Sequence, residues 1–288
     1  MDNKPKAIIL MLVSALAFSI MGAMVKLSGD IPLFEKVFYR NLVSLIMAYI
    51  MIKNKKTSFF GKKENQKYLL SRSLLGLIGV ILSFYALNNL VLSDANMLNK
   101  ISPFFVTLFA AFFLKEKLSK IQIPVLIIVF TGALFIIKPQ FNLSVLPSLS
   151  GFISAMCAGA AYTLIRFLRE REKAPTIVFY FSFVSIIVMF PLMMMNYQKP
   201  TIIQFIYLIC VGMFAGIGQL CLTNAYKYAP AAEVSIYVYT SIVFSAIIGF
   251  IVWSELPDYL SVIGTVIIIS AAIFTYTYNR KRILQSEN

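Results

Sequence analysis

Ten apolar runs punctuate the chain, each long enough for one helical crossing of a bilayer and each separated from the next by a short polar loop. They fall at 7–27, 33–52, 68–88, 93–114, 121–137, 148–168, 176–195, 202–224, 232–253 and 258–278. About 20 apolar residues at 1.5 Å per residue match the ~30 Å hydrocarbon core of a membrane. In lipid a spanning segment must satisfy its amides and carbonyls internally, so these runs are expected to be helices rather than open strands. With 59% of residues hydrophobic and 13% charged, the chain has too little polar surface to clothe a water-soluble globule. The expected class is an all-α membrane protein in contact with a lipid bilayer. Lys4 and Lys6 precede the first run as in a signal peptide, but 7–25 is longer than a signal-peptide core, which predicts an uncleaved first helix.

A formal net charge of +14 would, on a soluble protein, point toward nucleic acid. Here the basic side chains gather in loops, so they bear on membrane orientation and no nucleic-acid partner is expected. With a cytoplasmic N-terminus, one face collects twenty of them. These are Lys4 and Lys6, seven from Lys53 to Arg72, Lys115, Lys117 and Lys120, then Arg166, Arg169, Arg171 and Lys173, Lys227, and Arg280 to Arg282. The other face collects Lys26, Lys36, Lys138 and Lys199, and Arg40 and Lys100 remain inside runs. Twenty against four predicts that both termini are cytoplasmic.

An internal repeat sets the expected architecture. Shifted by 139 residues, 86–135 aligns on 225–274 without a gap: Asp94 meets Glu233, Lys100 meets Tyr239, Ser102 meets Ser241 and Glu116 meets Glu255. Shifts of 140 and 141 place Lys26 on Arg166 and Val37 to Tyr39 on Val178 to Tyr180. Each repeat holds five runs, an odd number, so the second half enters the bilayer from the opposite side. The loops agree: the lysine-rich 53–67 corresponds to 196–200, where Lys199 stands alone, and the basic 115–120 corresponds to the acidic 254–259. The expectation is ten transmembrane helices in two inverted five-helix repeats, 7–137 and 148–278. Inverted repeats are a transporter device, because exchanging the conformations of like halves opens a central site to each side in turn.

Polar residues after Ala95, then Ser102 and Pro103, an apolar run and a closing Glu116 resemble the fourth helix of the drug/metabolite transporter superfamily. The segment from Glu233 to Glu255 resembles its ninth, and Tyr39-Arg40-Asn41-Leu42 resembles a stretch of its second. The whole chain is similar to a ten-helix member with two EamA-type domains. The second half departs from the first at two points, with Ile242 opposite Pro103 and Phe181 opposite Arg40. The resemblance implies a central cavity walled by inner helices of both halves, peripheral fifth and tenth helices, and a small-molecule substrate whose kind it does not specify.

An ionisable side chain inside a run costs about 2.5–3.5 kcal/mol to insert, so it requires a function or a partner. Arg40 and Lys100 each lie about seven residues, roughly 10 Å, inside the outer end of their runs. On one continuous helix over 93–114, Asn96, Asn99, Lys100, Pro103 and Thr107 form a polar stripe, with Leu98, Phe105 and Phe109 facing lipid or packing. Lys100 then either attracts a substrate anion, with Asn96 and Asn99 hydrogen-bonding the same solute, or snorkels outward, or pairs with Asp94 or Glu35. Arg40 has the further option of tying helix ends together through carbonyls. Tyr85 (with Ser83 and Asn88), Gln219 and Asn224 (with Thr223), Tyr239 and Tyr162 are expected either on the cavity wall or as bonds between helices. Pro103 is the expected hinge. Glu116 and Glu255, at opposite surfaces, are gate or structural residues. Trp253 reads as an interfacial belt residue, and Gly212 and Gly216 as a close helix approach.

The chain has no histidine, and its three cysteines lie singly in apolar runs. No metal site, cofactor or nucleophile–base pair is expected, which disfavours an enzyme. With no acidic residue clearly at mid-membrane, a facilitator or exchanger is favoured over proton symport. The reading is an inner-membrane carrier of a small polar metabolite, an amino acid or a similar zwitterion or anion, working by alternating access. The alternative is an exporter or importer of a larger aromatic or vitamin-like solute or a drug. Direction of transport and oligomeric state stay open.

Overall fold

The computed structural model describes residues 4–113, 121–138, 145–168, 171–228 and 235–287. Among these residues the regular elements are helical: α1 (Lys4–Leu27), α2 (Leu33–Lys55), α3 (Gln66–Asn89), α4 (Leu92–Asn99), α5 (Ser102–Phe113), α6 (Gln122–Ile137), α7 (Leu146–Leu168), α8 (Ala174–Met195), α9 (Ile202–Tyr228), α10 (Thr240–Trp253) and α11 (Tyr259–Glu287). Short 3-10 turns at Lys63–Asn65 and Ser235–Tyr239 precede α3 and α10. Every apolar run contains helix, and the fourth contains two.

Among the described residues seven helical stretches are long and apolar enough to cross a membrane: Pro5–Leu27, Lys63–Asn89, Leu92–Phe113, Leu146–Ile165, Ala174–Met195, Ile202–Leu222 and Tyr259–Tyr278. Ile123–Ile137 and Tyr237–Trp253 are shorter apolar helices, and α2 is diluted by Glu35, Lys36, Arg40, Lys53 and Lys55. Ile202, Ile203, Ile251, Phe112 and Val266 stand more than half exposed, an apolar exterior suited to lipid. Leu98 and Phe105, by contrast, are buried in a core with Val129 and Ala133 of α6 and Ile268 of α11. That face of the fourth run therefore packs and does not meet lipid.

The packing is two-fold in pattern. Helix α1 lies along α9 as α3 lies along α7; α2 meets α9 as α8 meets α3; α1 meets α10 as α7 meets α5. Like elements of the two halves also pair: α2 with α8, and α6 with α11. Exchanging each helix for its counterpart maps these contacts onto themselves, so the halves interleave. The correspondence reaches single bonds: Ser14 Oγ donates to Gly218 O and Ser154 Oγ to Gly79 O, each at 2.7 Å. Those pairs differ by the same shifts of 140 and 139 residues found in the sequence.

Helices α6 and α11 pair at one edge, where Gly264 brings the backbones so close that an added Cβ would fall 2.5 Å from Gly132 O. Lys138 caps α6 and pairs with Asp258 at the start of α11. The Lys138 ammonium and the Ser261 amide hold the Asp258 carboxyl below the usual carboxylate range.

Candidate functional site

The fourth run is not the continuous helix expected from 93–114. Helix α4 stops at Asn99, capped by the Lys100 amide on Asn96 O (3.1 Å) and Met97 O (3.0 Å), and α5 begins at Ser102. The cause is Pro103, which has no amide to return to Asn99 O and is at home in the first turn of a new helix. The ninth run changes geometry at the equivalent place, where the 3-10 turn Ser235–Tyr239 gives way to α10. The two discontinuities touch: Tyr239 Oη donates to Lys100 O at 3.4 Å.

Lys100 is buried at this break, with Nζ 5.9 Å from the centre of the Phe18 ring on α1. Neither carboxylate weighed as its partner is engaged with it. Asp94 accepts from Ser261 Oγ at 2.8 Å, and Glu35 accepts from the Gln198 amide at 3.3 Å. Asn96 Nδ2 donates back along its own helix to Leu92 O (2.9 Å).

A second cationic centre lies among α2, α3, α7 and α8. Arg40 Cζ stands 5.5 Å and Arg72 Cζ 4.1 Å from the centre of the Phe181 ring. Arg40 Nη1 donates to Asn41 Oδ1 at 2.8 Å, and Asn41 is itself anchored to Val37 O. Tyr162, on α7, is exposed. Arg72, at the start of the third run and counted with the cytoplasmic face, sits six residues inside α3 and is only 9% exposed. Counting loop cations missed it, because a basic residue near a run's end looks the same in sequence whether it points out or in.

At one end of the bundle Lys26, closing α1, forms an ion pair with Glu255, and its Nζ also donates to Leu90 O at 3.1 Å. Glu255 reaches this point because Ser254 adopts a left-handed cap (φ 55°) that folds the chain back, and its carboxylate accepts from the Leu92 amide at 3.4 Å. Trp253, expected in an interfacial belt, is half-buried with the Lys26 ammonium 5.1 Å from its ring centre. This knot joins the two halves.

Residues 5–138 and 146–277 each match the EamA-like transporter family. The chain belongs to that family. It is a multi-pass transporter of the cell membrane, with a small molecule as its substrate. As an EamA-like protein it is 33% identical over 276 residues to the pseudopaline exporter CntI of Pseudomonas aeruginosa, covering 95% of this chain and 96% of the exporter. It is 26% identical over 263 residues to the S-adenosylmethionine uptake transporter of Rickettsia bellii, covering 88% and 87% of the two chains. A solved crystal structure matches with a TM-score of 0.67 over 96% of this chain and 99% of the other, at 14% identity, which speaks to the fold alone.

The remaining candidates of this EamA-like chain fall in different places. Asn99 is half-buried beside the break, Tyr85 is exposed on α3, and Gln219 is half-buried on α9 with a bonding partner. Asn88, weighed with Tyr85, accepts from Lys36 Nζ at 3.0 Å, a bond between α2 and α3. Glu116 lies outside the described residues, as do the side chains of Asn224, Thr107 and Arg166. Two open surface grooves, one beside Phe60, Tyr180 and Phe183 and one along α6 and α11, involve none of these cations.

Proposed function

We propose that this EamA-like protein carries a small zwitterion or anion, such as an amino acid, by alternating access as a facilitator or exchanger rather than catalysing a reaction. In this reading ten transmembrane helices form two inverted repeats, 7–137 and 148–278, with both termini cytoplasmic. The observation that carries it is Lys100: a buried ammonium at a helix break, facing the other half through Tyr239, with no carboxylate among the described residues to neutralise it. A charge held in that position is expensive unless a ligand completes it. The family supports transport in general. Its members named above are one exporter and one uptake transporter, so direction is not inherited from them.

Alternating access needs a closure at each end. The Lys26–Glu255 pair closes one. Its repeat equivalents, Arg166 and Glu116, supply the same pair of charges for the other, with Pro103 as the hinge between them. Phe18 and Phe181 beside the cations favour, as a second reading, a larger aromatic or vitamin-like solute.

Counterflow in proteoliposomes preloaded with amino acids, organic anions, nucleosides or vitamins tests both readings. The expected result is saturable exchange of a zwitterion or anion that falls about 10- to 100-fold in Lys100→Ala, the loss of one charge-assisted contact. Unchanged exchange in that variant would remove Lys100 from the site. Exchange confined to neutral aromatic solutes would promote the second reading.

A further inference from the structure

We infer that Arg40 and Arg72, converging on Phe181, form a carboxylate-binding site for the transported solute, separate from Lys100. This rests on the carrier reading and adds the chemical group recognised. The two guanidinium carbons lie 5.5 and 4.1 Å from one ring centre, which places them within about 10 Å of each other. Helices α2 and α3 are consecutive and packed together, so the two charges approach the ring from opposite ends of an antiparallel pair.

Their hydrogen-bonding capacity is largely unused. Arg72 Nε and Nη1 and Arg40 Nε are buried without a partner. A structural arginine that ties helix ends would spend those donors on carbonyls, and among the described residues none is so engaged. Nor does a described carboxylate answer the charge: the ion pairs are Lys26–Glu255 and Lys138–Asp258, and Glu172 caps the Lys62 and Asn65 loop. Two like charges in a low dielectric repel and are costly to desolvate, so the arrangement is complete only with an anion between them.

A glycine on α3 and a serine on α8 stand beside the Phe181 ring. Gly76 lies one turn beyond Arg72, and an added Cβ there would stand 3.1 Å from Phe181 Cε2 and 3.6 Å from Arg72 Nη1. Ser185, one turn past Phe181 on the same face of α8, offers a buried hydroxyl with no partner. Planar guanidinium forks match a carboxylate in bidentate fashion, which selects that group over cations and neutral polar solutes.

The test is thermal unfolding of the purified full chain in a carboxylate-free buffer with succinate, L-glutamate or citrate, against succinamide and L-glutamine. At least one carboxylate should raise the midpoint by several degrees while its amide does not. Arg40→Met and Arg72→Met should each weaken the half-saturating concentration at least tenfold, with a ligand-free midpoint equal to or above wild type, since each removes an unpaired buried charge. Arg72→Lys should recover part of the binding. A carboxylate shift that survives both Met variants, a ligand-free midpoint that falls in both, or no carboxylate shift in the wild type overturns the inference. If the shift depends on Arg40 and Arg72 but counterflow fails for every solute, the site stands and the carrier reading fails.

Discussion

Lys36 and Arg72 are both cations buried in the helical bundle, and they differ in what receives their hydrogen bonds. Lys36 Nζ donates to Val25 O (3.1 Å), Gly29 O (2.8 Å) and Asn88 Oδ1 (3.0 Å), so all three protons are placed and the side chain ties the α1–α2 turn to α3. Arg72 places few. The contrast predicts opposite signs. Lys36→Met should lower stability by about 1–3 kcal/mol, the cost of leaving buried acceptors unpaired, with solute selectivity unchanged. Thermal unfolding and a counterflow panel measure the two parts, and a selectivity change would move Lys36 into the site. Neither environment was legible in the sequence, where Lys36 and Arg72, near the ends of their runs, count simply toward opposite faces. Lys100 was legible, because a lysine seven residues inside an apolar run has few cheap explanations.

Helix α9 is the element whose sequence said most about its packing. An added Cβ on Gly212 would fall 2.5 Å from Val43 Cβ, and one on Gly216 would fall 2.2 Å from Met47 Sδ, so the small pair admits α2 at close range. Gly212→Ala should therefore cost about 1–3 kcal/mol through overpacking, read as a lowered unfolding midpoint. No loss would mean that α2 is free to retreat. The fourth run was half legible. Pro103 marked a departure from helix, but a hydropathy reading has no way to say that the run would split into α4 and α5 with Lys100 at the gap. The short α6 and α10 show the reverse case, apolar enough to be recognised yet below the length of a full span.

At the scale of the whole molecule, the repeat detected as register shifts of 139 to 141 residues reappears as a contact pattern that maps onto itself. Register is legible because both halves keep the same spacing of polar and small residues. Contacts such as Lys26 with Glu255, 229 residues apart, were not legible: sequence places both at one face but cannot say that they meet. Under the proposed alternating access, these two residues must part once in each cycle. In a background with Cys157, Cys210 and Cys221 replaced by alanine, Lys26→Cys and Glu255→Cys can be joined by a short cross-linker in proteoliposomes. Counterflow should fall to background when the cross-link is complete and return when a cleavable linker is cut. Full counterflow under a complete cross-link would contradict alternating access through this end of the protein.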